Sequence, residues 1–187
     1  TLLAMDIGAG DEIIFPSYVC SALLNAVQYV NATPVLAEID PRTHNIDPVD
    51  VKKRLSSITK AMVVPHLFGL PADLHALTSF GIPVVEDCAQ AVGARYKGKQ
   101  VGAFGHAAIL SFYATKVMTT GEGGMVVSNS RDLLDRVRDF REYDEKKSSA
   151  VRYNYKMTDM QAAMGLCQLE QLPDFIRRRK KVARDYY

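Results

Sequence analysis

Short apolar runs recur along this chain with one amphipathic segment's worth of residues between neighbours, and that rhythm restricts the fold more than any other feature. The runs fall at 13–15, 34–39, 61–64, 84–85, 107–110 and 125–127, and segments with helical character fall at 21–30, 72–80 and 131–143. Alternation of this kind predicts βαβ units and a mainly parallel sheet covered by helices on both faces. The expected fold class is therefore α/β, a three-layer α/β/α sandwich with a mainly parallel central sheet. Local signals agree: Pro16 should stop the first strand, and Asp47-Pro48 should open a helix, aspartate as cap and proline at its first position. In 21–30, Leu24, Val27 and Gln28 stand at helical spacing.

Composition enters as a set of bounds. With 187 residues and 48% hydrophobic content the chain can bury one good core, so one domain is expected. A net charge of +2 leaves no electrostatic footprint of a nucleic-acid binder. The single strong charge run, Arg177-Arg178-Arg179-Lys180-Lys181, reads as the exposed face of a helix running to Tyr187. Cys20, Cys88 and Cys167 are far apart and form no CxxC pair, so no metal site or redox couple is expected and the thiols read as reduced. No apolar stretch is long enough to span a bilayer and no secretion signal is visible, which points to a cytoplasmic protein with no membrane partner. The polar stretch 145–150 reads as a mobile loop, and 1–5 as the end of a helix whose beginning is absent.

The chemistry is expected between 84 and 124. Asp87 directly follows an apolar run, and in open α/β sheets the carboxyl ends of the strands form the crevice that receives ligands. Lys116 follows the run at 107–110, so an acid and an amine share one rim if the two strands are neighbours. That pair suits pyridoxal phosphate (PLP), whose aldehyde needs a lysine amine and whose ring nitrogen needs a carboxylate to stay protonated. Each residue also has an ordinary reading: Asp87 as a helix cap, Lys116 as a solvated loop residue. Residues 93–100, GARYKGKQ, nearly match a phosphate-binding loop, which would imply an NTPase. Gln100 lacks the hydroxyl that ligates magnesium, however, and the following glycines cannot open the required helix, so a hairpin turning at Lys97-Gly98 is expected instead. His66 is expected to be a hydrogen-bonded structural residue.

The motifs VEDCAQA (85–91), SFYATK (111–116) and GEGGMVV (121–127) resemble those of the DegT-type sugar aminotransferases, fold-type I PLP enzymes acting on nucleotide-linked keto sugars. GDEIIFPSY, NAVQYVNATPVLAEID, HLFGLPADL and YNYKMTDMQAAMG follow that family's patterns in the same order. The resemblance implies a fold like the large domain of these enzymes. It implies Lys116 as the cofactor lysine, Asp87 on the ring nitrogen, Gln90 on the phenolic oxygen and Ser111 on the phosphate. It also implies that Asn154 reaches a partner subunit's phosphate in a homodimer. Cys20 stands where the family usually covers the ring with an aromatic side chain.

The implied reaction moves an amino group from a donor such as glutamate to a keto sugar attached to a nucleotide. By the same resemblance, residues 1–187 correspond to the central part of the large domain, without the family's N-terminal segment or small C-terminal domain. Two other readings stay open: a truncated, non-catalytic fragment of such an enzyme, and a PLP-dependent sugar dehydratase relative. Lys116 speaks against the second, because those relatives carry histidine in its place. The apolar stripe Met160, Ala163, Met164, Cys167 and Leu169, in a helix expected over 157–172, reads as core packing.

Overall fold

Each apolar run becomes a strand in the structure, a computed structural model that describes residues 1–144, 146 and 148–186. In chain order the strands are β1 (Glu12–Pro16), β2 (Thr33–Ala37), β3 (Thr59–Pro65), β4 (Val84–Asp87), the short pair β5 (Arg95–Tyr96) and β6 (Lys99–Gln100), β7 (Ala107–Ser111) and β8 (Gly124–Val127). The helices are α1 (Ala22–Tyr29), α2 (Pro48–Arg54), α3 (Leu74–Thr78), α4 (Arg131–Arg141) and α5 (Asp159–Asp185). Six strands form one sheet in the order β2-β1-β3-β4-β7-β8. Its first five are parallel, and β8 joins β7 antiparallel. The sheet is thus mainly parallel, as expected. β5 and β6 form the separate antiparallel hairpin around Lys97-Gly98, where both residues have positive φ.

Side chains alternate across the sheet and so divide the core in two. Ile13, Phe15, Ala61, Val63 and Val85 pack with Leu23 and Val27 of α1 on one face. Ile14, Met62, Val64 and Val84 pack with Val51 of α2 and Leu74 and Leu77 of α3 on the other. Leu133 of α4 closes over Ala4 and Ala107. Helices on both faces make the three layers.

Several local expectations need adjusting. The buried stripe of α1 is Leu23 with Val27, an i,i+4 pair, whereas Leu24 sits about one residue's rotation away and is exposed. Ile39 makes only an isolated bridge to Ile46, so β2 ends at Ala37. Asp73 starts α3 late, its carboxylate accepting the Ala76 N–H, and α3 is five residues long. The cap at Asp47 is present as expected, accepting the Val49 N–H.

The larger correction concerns α5. The helix expected over 157–172 and the one expected to carry the charge run towards Tyr187 are a single helix that runs through Pro173 to Asp185, and none of its residues is buried. Met160, Met164, Cys167 and Leu169 are exposed, so the stripe is not core packing within this chain. Loss of one N–H at Pro173 does not end a helix started by a full capping box, in which Thr158 and Gln161 bond each other's backbone. The arginines and lysines of 177–181 are exposed, as expected. Of the polar stretch 145–150, Glu145 and Lys147 lie outside the described residues, as does Tyr187. Residues 1–5 hold a single 3₁₀ turn, Leu3–Met5.

Candidate active site

The carboxyl ends of β3 and β4 stop level with one another, and the neighbouring β7 runs two residues further, to Ser111. Pro65 of β3 pairs with Asp87 of β4, and Asp87 pairs with Ile109 of β7. Asp87 is 9% exposed, and among the described residues its carboxylate takes one hydrogen bond, from the Ala89 N–H at 2.9 Å. Burial lifts its pKa above the usual aspartate range, partly offset by that N–H and by the nearby Lys116 ammonium. The acid and the amine therefore do share one rim. Cys88, which follows the two carboxylates Glu86 and Asp87, is pushed up to about 12, chiefly by burial and further by those carboxylates, and stays a thiol.

Lys116 sits in a loop that leaves β7 and returns as β8, and this loop is pinned from several sides. The Phe112 N–H donates to the Gly123 carbonyl, the Thr120 N–H to the Phe112 carbonyl, and the Lys116 N–H to the Tyr113 carbonyl, each at 2.9 Å. The Thr119 N–H reaches Gln168 of α5 at 3.2 Å. Gly123 is required here: a Cβ would collide with Thr120 Oγ1 and come within 2.9 Å of Met157. Ser111, the last residue of β7, is half-buried, and its hydroxyl oxygen accepts the Tyr113 N–H at 3.4 Å.

Gln90 is exposed on the turn after Asp87. Its carbonyl oxygen accepts the Phe68 N–H at 3.0 Å, which fixes the amide and leaves its NH₂ directed elsewhere. Cys20 lies in the exposed segment after β1, two strands along the sheet from β4. Asn154 lies in the segment between α4 and α5. It is exposed between Tyr153 and Tyr155, whose N–H groups donate to the carbonyls of Phe140 and Arg141 at the end of α4.

Two residues at the site escaped the sequence reading of the chemistry. Glu86 is fully buried, and both of its oxygens are occupied. The Phe104 and Gly105 N–H groups donate to Oε1 at 2.7 and 2.6 Å, and the Gly102 N–H and His66 Nε2 meet Oε2 at 2.7 and 3.1 Å. Burial raises the Glu86 pKa, but these four bonds outweigh it and hold the carboxyl below its ordinary range. His66 is the structural residue expected, yet its partner was not foreseen. Its Nδ1 accepts the Ala72 N–H at 3.1 Å, so the ring proton sits on Nε2 and points at Glu86. A charge inside an otherwise apolar buried strand was the signal that could have exposed Glu86.

This arrangement also settles two other motifs. The glycine-rich stretch after the hairpin does present N–H groups to an anion, but the anion is Glu86 of the same chain. His66, Glu86 and Cys88 bring ligand atoms within 4.8 Å of one another. A metal there would have to displace four hydrogen bonds from Glu86 and deprotonate a thiol that burial keeps protonated, so the donor set does not suit one.

The sequence pattern of the DegT/DnrJ/EryC1/StrS aminotransferase family matches residues 1–187. The chain belongs to this family. It is 41% identical over 194 residues to a GDP-perosamine synthase of Escherichia coli O157:H7, covering 99% of this chain and 53% of that protein. A second GDP-perosamine synthase, from Caulobacter vibrioides, is 40% identical, with 97% and 51% covered. Among solved structures, S. venezuelae DesV in complex with a ketimine intermediate superposes with a TM-score of 0.94 at 38% identity, over 99% of this chain and 52% of DesV. The chain thus spans about half the length of the family members it matches. Its sheet and helical layers are those of the family's PLP-dependent, fold-type I members, and among the described residues no helix is long and apolar enough to cross a membrane.

Proposed function

We propose that this chain carries the cofactor site of a PLP-dependent aminotransferase that moves an amino group from a donor such as glutamate to a nucleotide-linked keto sugar. The observation that carries the reading is buried Asp87 at the end of β4, next to β7, whose following loop carries Lys116. Membership of the DegT/DnrJ/EryC1/StrS family supports it, as do the likenesses to GDP-perosamine synthases and to DesV.

The residues fit PLP on chemical grounds. Among the described residues the buried carboxylate accepts one hydrogen bond, on Oδ1, and a pyridinium N–H would give it a second, charged donor. When bound, PLP supplies the electron sink that lets a proton leave the substrate carbon. Asp87 keeps the ring nitrogen protonated. With PLP bound, the Lys116 amine would serve as the base that takes a proton from the donor carbon and the acid that returns it to the cofactor carbon on the other side of the nitrogen. The Ser111 hydroxyl donates to the phosphate, and the fixed Gln90 NH₂ donates to the phenolic oxygen. Cys20 packs over the ring with less area than an aromatic side chain offers.

We place the central part of the enzyme's large domain on residues 1–187, and a homodimer around it, in which Asn154 serves the partner's phosphate. Its exposure is consistent with work in trans. The cytoplasm suits three free cysteines. The test is to add PLP, follow its visible absorbance, reduce with borohydride and map the labelled lysine. A label on Lys116, lost in Lys116→Ala, supports the assignment, and transfer from glutamate to keto-sugar nucleotides is then assayed. A label on another lysine overturns it.

A further inference from the structure

His66 and Glu86 are the two largest investments of buried polarity in the molecule, and the proposed chemistry uses neither. Both are fully buried, beside the apolar residues Ala61–Val64 of β3 and Val84–Val85 of β4. An ionised carboxylate is costly to bury unless each oxygen is satisfied, and a satisfied one fixes whatever donates to it. Here the donors come from two directions. Gly102, Phe104 and Gly105 approach from the loop after the β5–β6 hairpin, and His66 approaches from the end of β3. The backbone N–H of His66 also donates to the Asp87 carbonyl at 3.1 Å. One residue therefore grips β4 twice, through Glu86 with its ring and through Asp87 with its main chain, while the Ala72 N–H holds the ring from behind.

We propose that Glu86 and His66 are positioning residues for the cofactor site: a neutral His66 bridge and the Glu86 carboxylate clamp the carboxyl end of β4, so that Asp87 is held buried and aimed at the rim. The inference rests on the PLP reading for what Asp87 is aimed at, but not for the clamp itself. Since β4 alternates its side chains, Glu86 can be locked on one face while Asp87 is presented from the other without the two competing for space. The ring's two nitrogens divide the work: Nδ1 accepts the Ala72 N–H and Nε2 faces Glu86.

Substitutions separate these elements. Glu86→Gln has to turn its NH₂ towards at least one backbone N–H whichever way the amide is placed, because both oxygens of Glu86 accept. His66→Leu removes the bridge but leaves the Glu86 carboxylate, which distinguishes loosening of β4 from loss of a negative charge. His66→Gln retains one donor and one acceptor and has no titration of its own.

Two readouts on the purified protein are informative. Without cofactor, carbon-13 NMR follows the Asp87 carboxyl against pH. With PLP, visible absorbance gives the affinity and the pH titration of the bound chromophore. The clamp predicts that Asp87 titrates above the ordinary aspartate range in the native protein and falls towards it in Glu86→Gln and His66→Leu. PLP affinity should drop about tenfold or more in both variants, the scale of one charged hydrogen bond, and the chromophore titration should shift. His66→Gln should restore affinity to within about threefold of the native value. A folded His66→Leu with native Asp87 titration overturns the clamp, and so does His66→Gln behaving like His66→Leu. If Glu86→Gln fails to fold, the His66 pair decides alone. Failure of the native protein to take up PLP would count against the functional reading, and the cofactor-free Asp87 titration would still test the clamp.

Discussion

Asp87 and Glu86 are adjacent carboxylates with opposite pH dependence. Burial raises Asp87, so the folded state holds a proton that the unfolded chain has released above its ordinary 3.8. Its contribution to stability is full below that value and is lost as pH rises through the folded pKa. For Glu86 burial is outweighed by hydrogen bonds from His66, Gly102, Gly105 and Phe104, and the folded pKa lies below 4.5. Its contribution is present above 4.5 and is lost as pH falls through the folded value. Asp87→Asn should therefore leave the cofactor-free protein as stable at neutral pH or more so, read by thermal melting, while PLP affinity falls by about 2 kcal/mol, the scale of a charged hydrogen bond. A loss of thermal stability without loss of affinity would reverse the role assigned to Asp87. Asp87 could be found in the sequence because it ends an apolar run. Glu86 could not be interpreted there, because what makes a buried carboxylate tolerable is the loop at 102–105, and only folding brings that loop to it.

Among elements, strands were the most legible, since runs such as 13–15 and 61–64 have no alternative to burial, and Pro16 and Asp47-Pro48 mark boundaries by backbone chemistry. Helix faces were less so. An apolar stripe such as Met160, Met164 and Leu169 records that a face wants covering, not what covers it, and α5 lies with that face open. The loop between β6 and β7 is specified by close approach. A Cβ on Gly105 would stand 2.5 Å from the Val84 carbonyl and 3.3 Å from Glu86 Cγ. Gly105→Ala should accordingly cost about 2 kcal/mol or more by displacing the loop from Glu86, measured as a lower midpoint in urea. Gly98→Ala, with open space around the position, should suffer only the local penalty of its positive φ.

For the molecule as a whole, the open side of α5 is its largest unsettled surface. Leu166 and Leu169, three residues apart on one side of the helix, are 65% and 52% exposed. A homodimer that covers this face should be concentration-dependent, and Leu166→Glu with Leu169→Glu should shift the protein towards monomer by light scattering while its circular dichroism is retained. An unchanged mass would move the interface elsewhere. The β5–β6 hairpin has a different significance at this scale. Its stem is tied to α3 by the Tyr96 hydroxyl, which donates to Asp73 at 2.7 Å, and the chain beyond it is caught again at once by Glu86. The tip at Lys97-Gly98 is thus insulated on both sides from the sheet. A guest peptide spliced between these two residues should leave the rest of the protein in its native form, so the hairpin offers a site for epitope tags, fluorescent reporters or surface tethers that leaves the cofactor rim untouched.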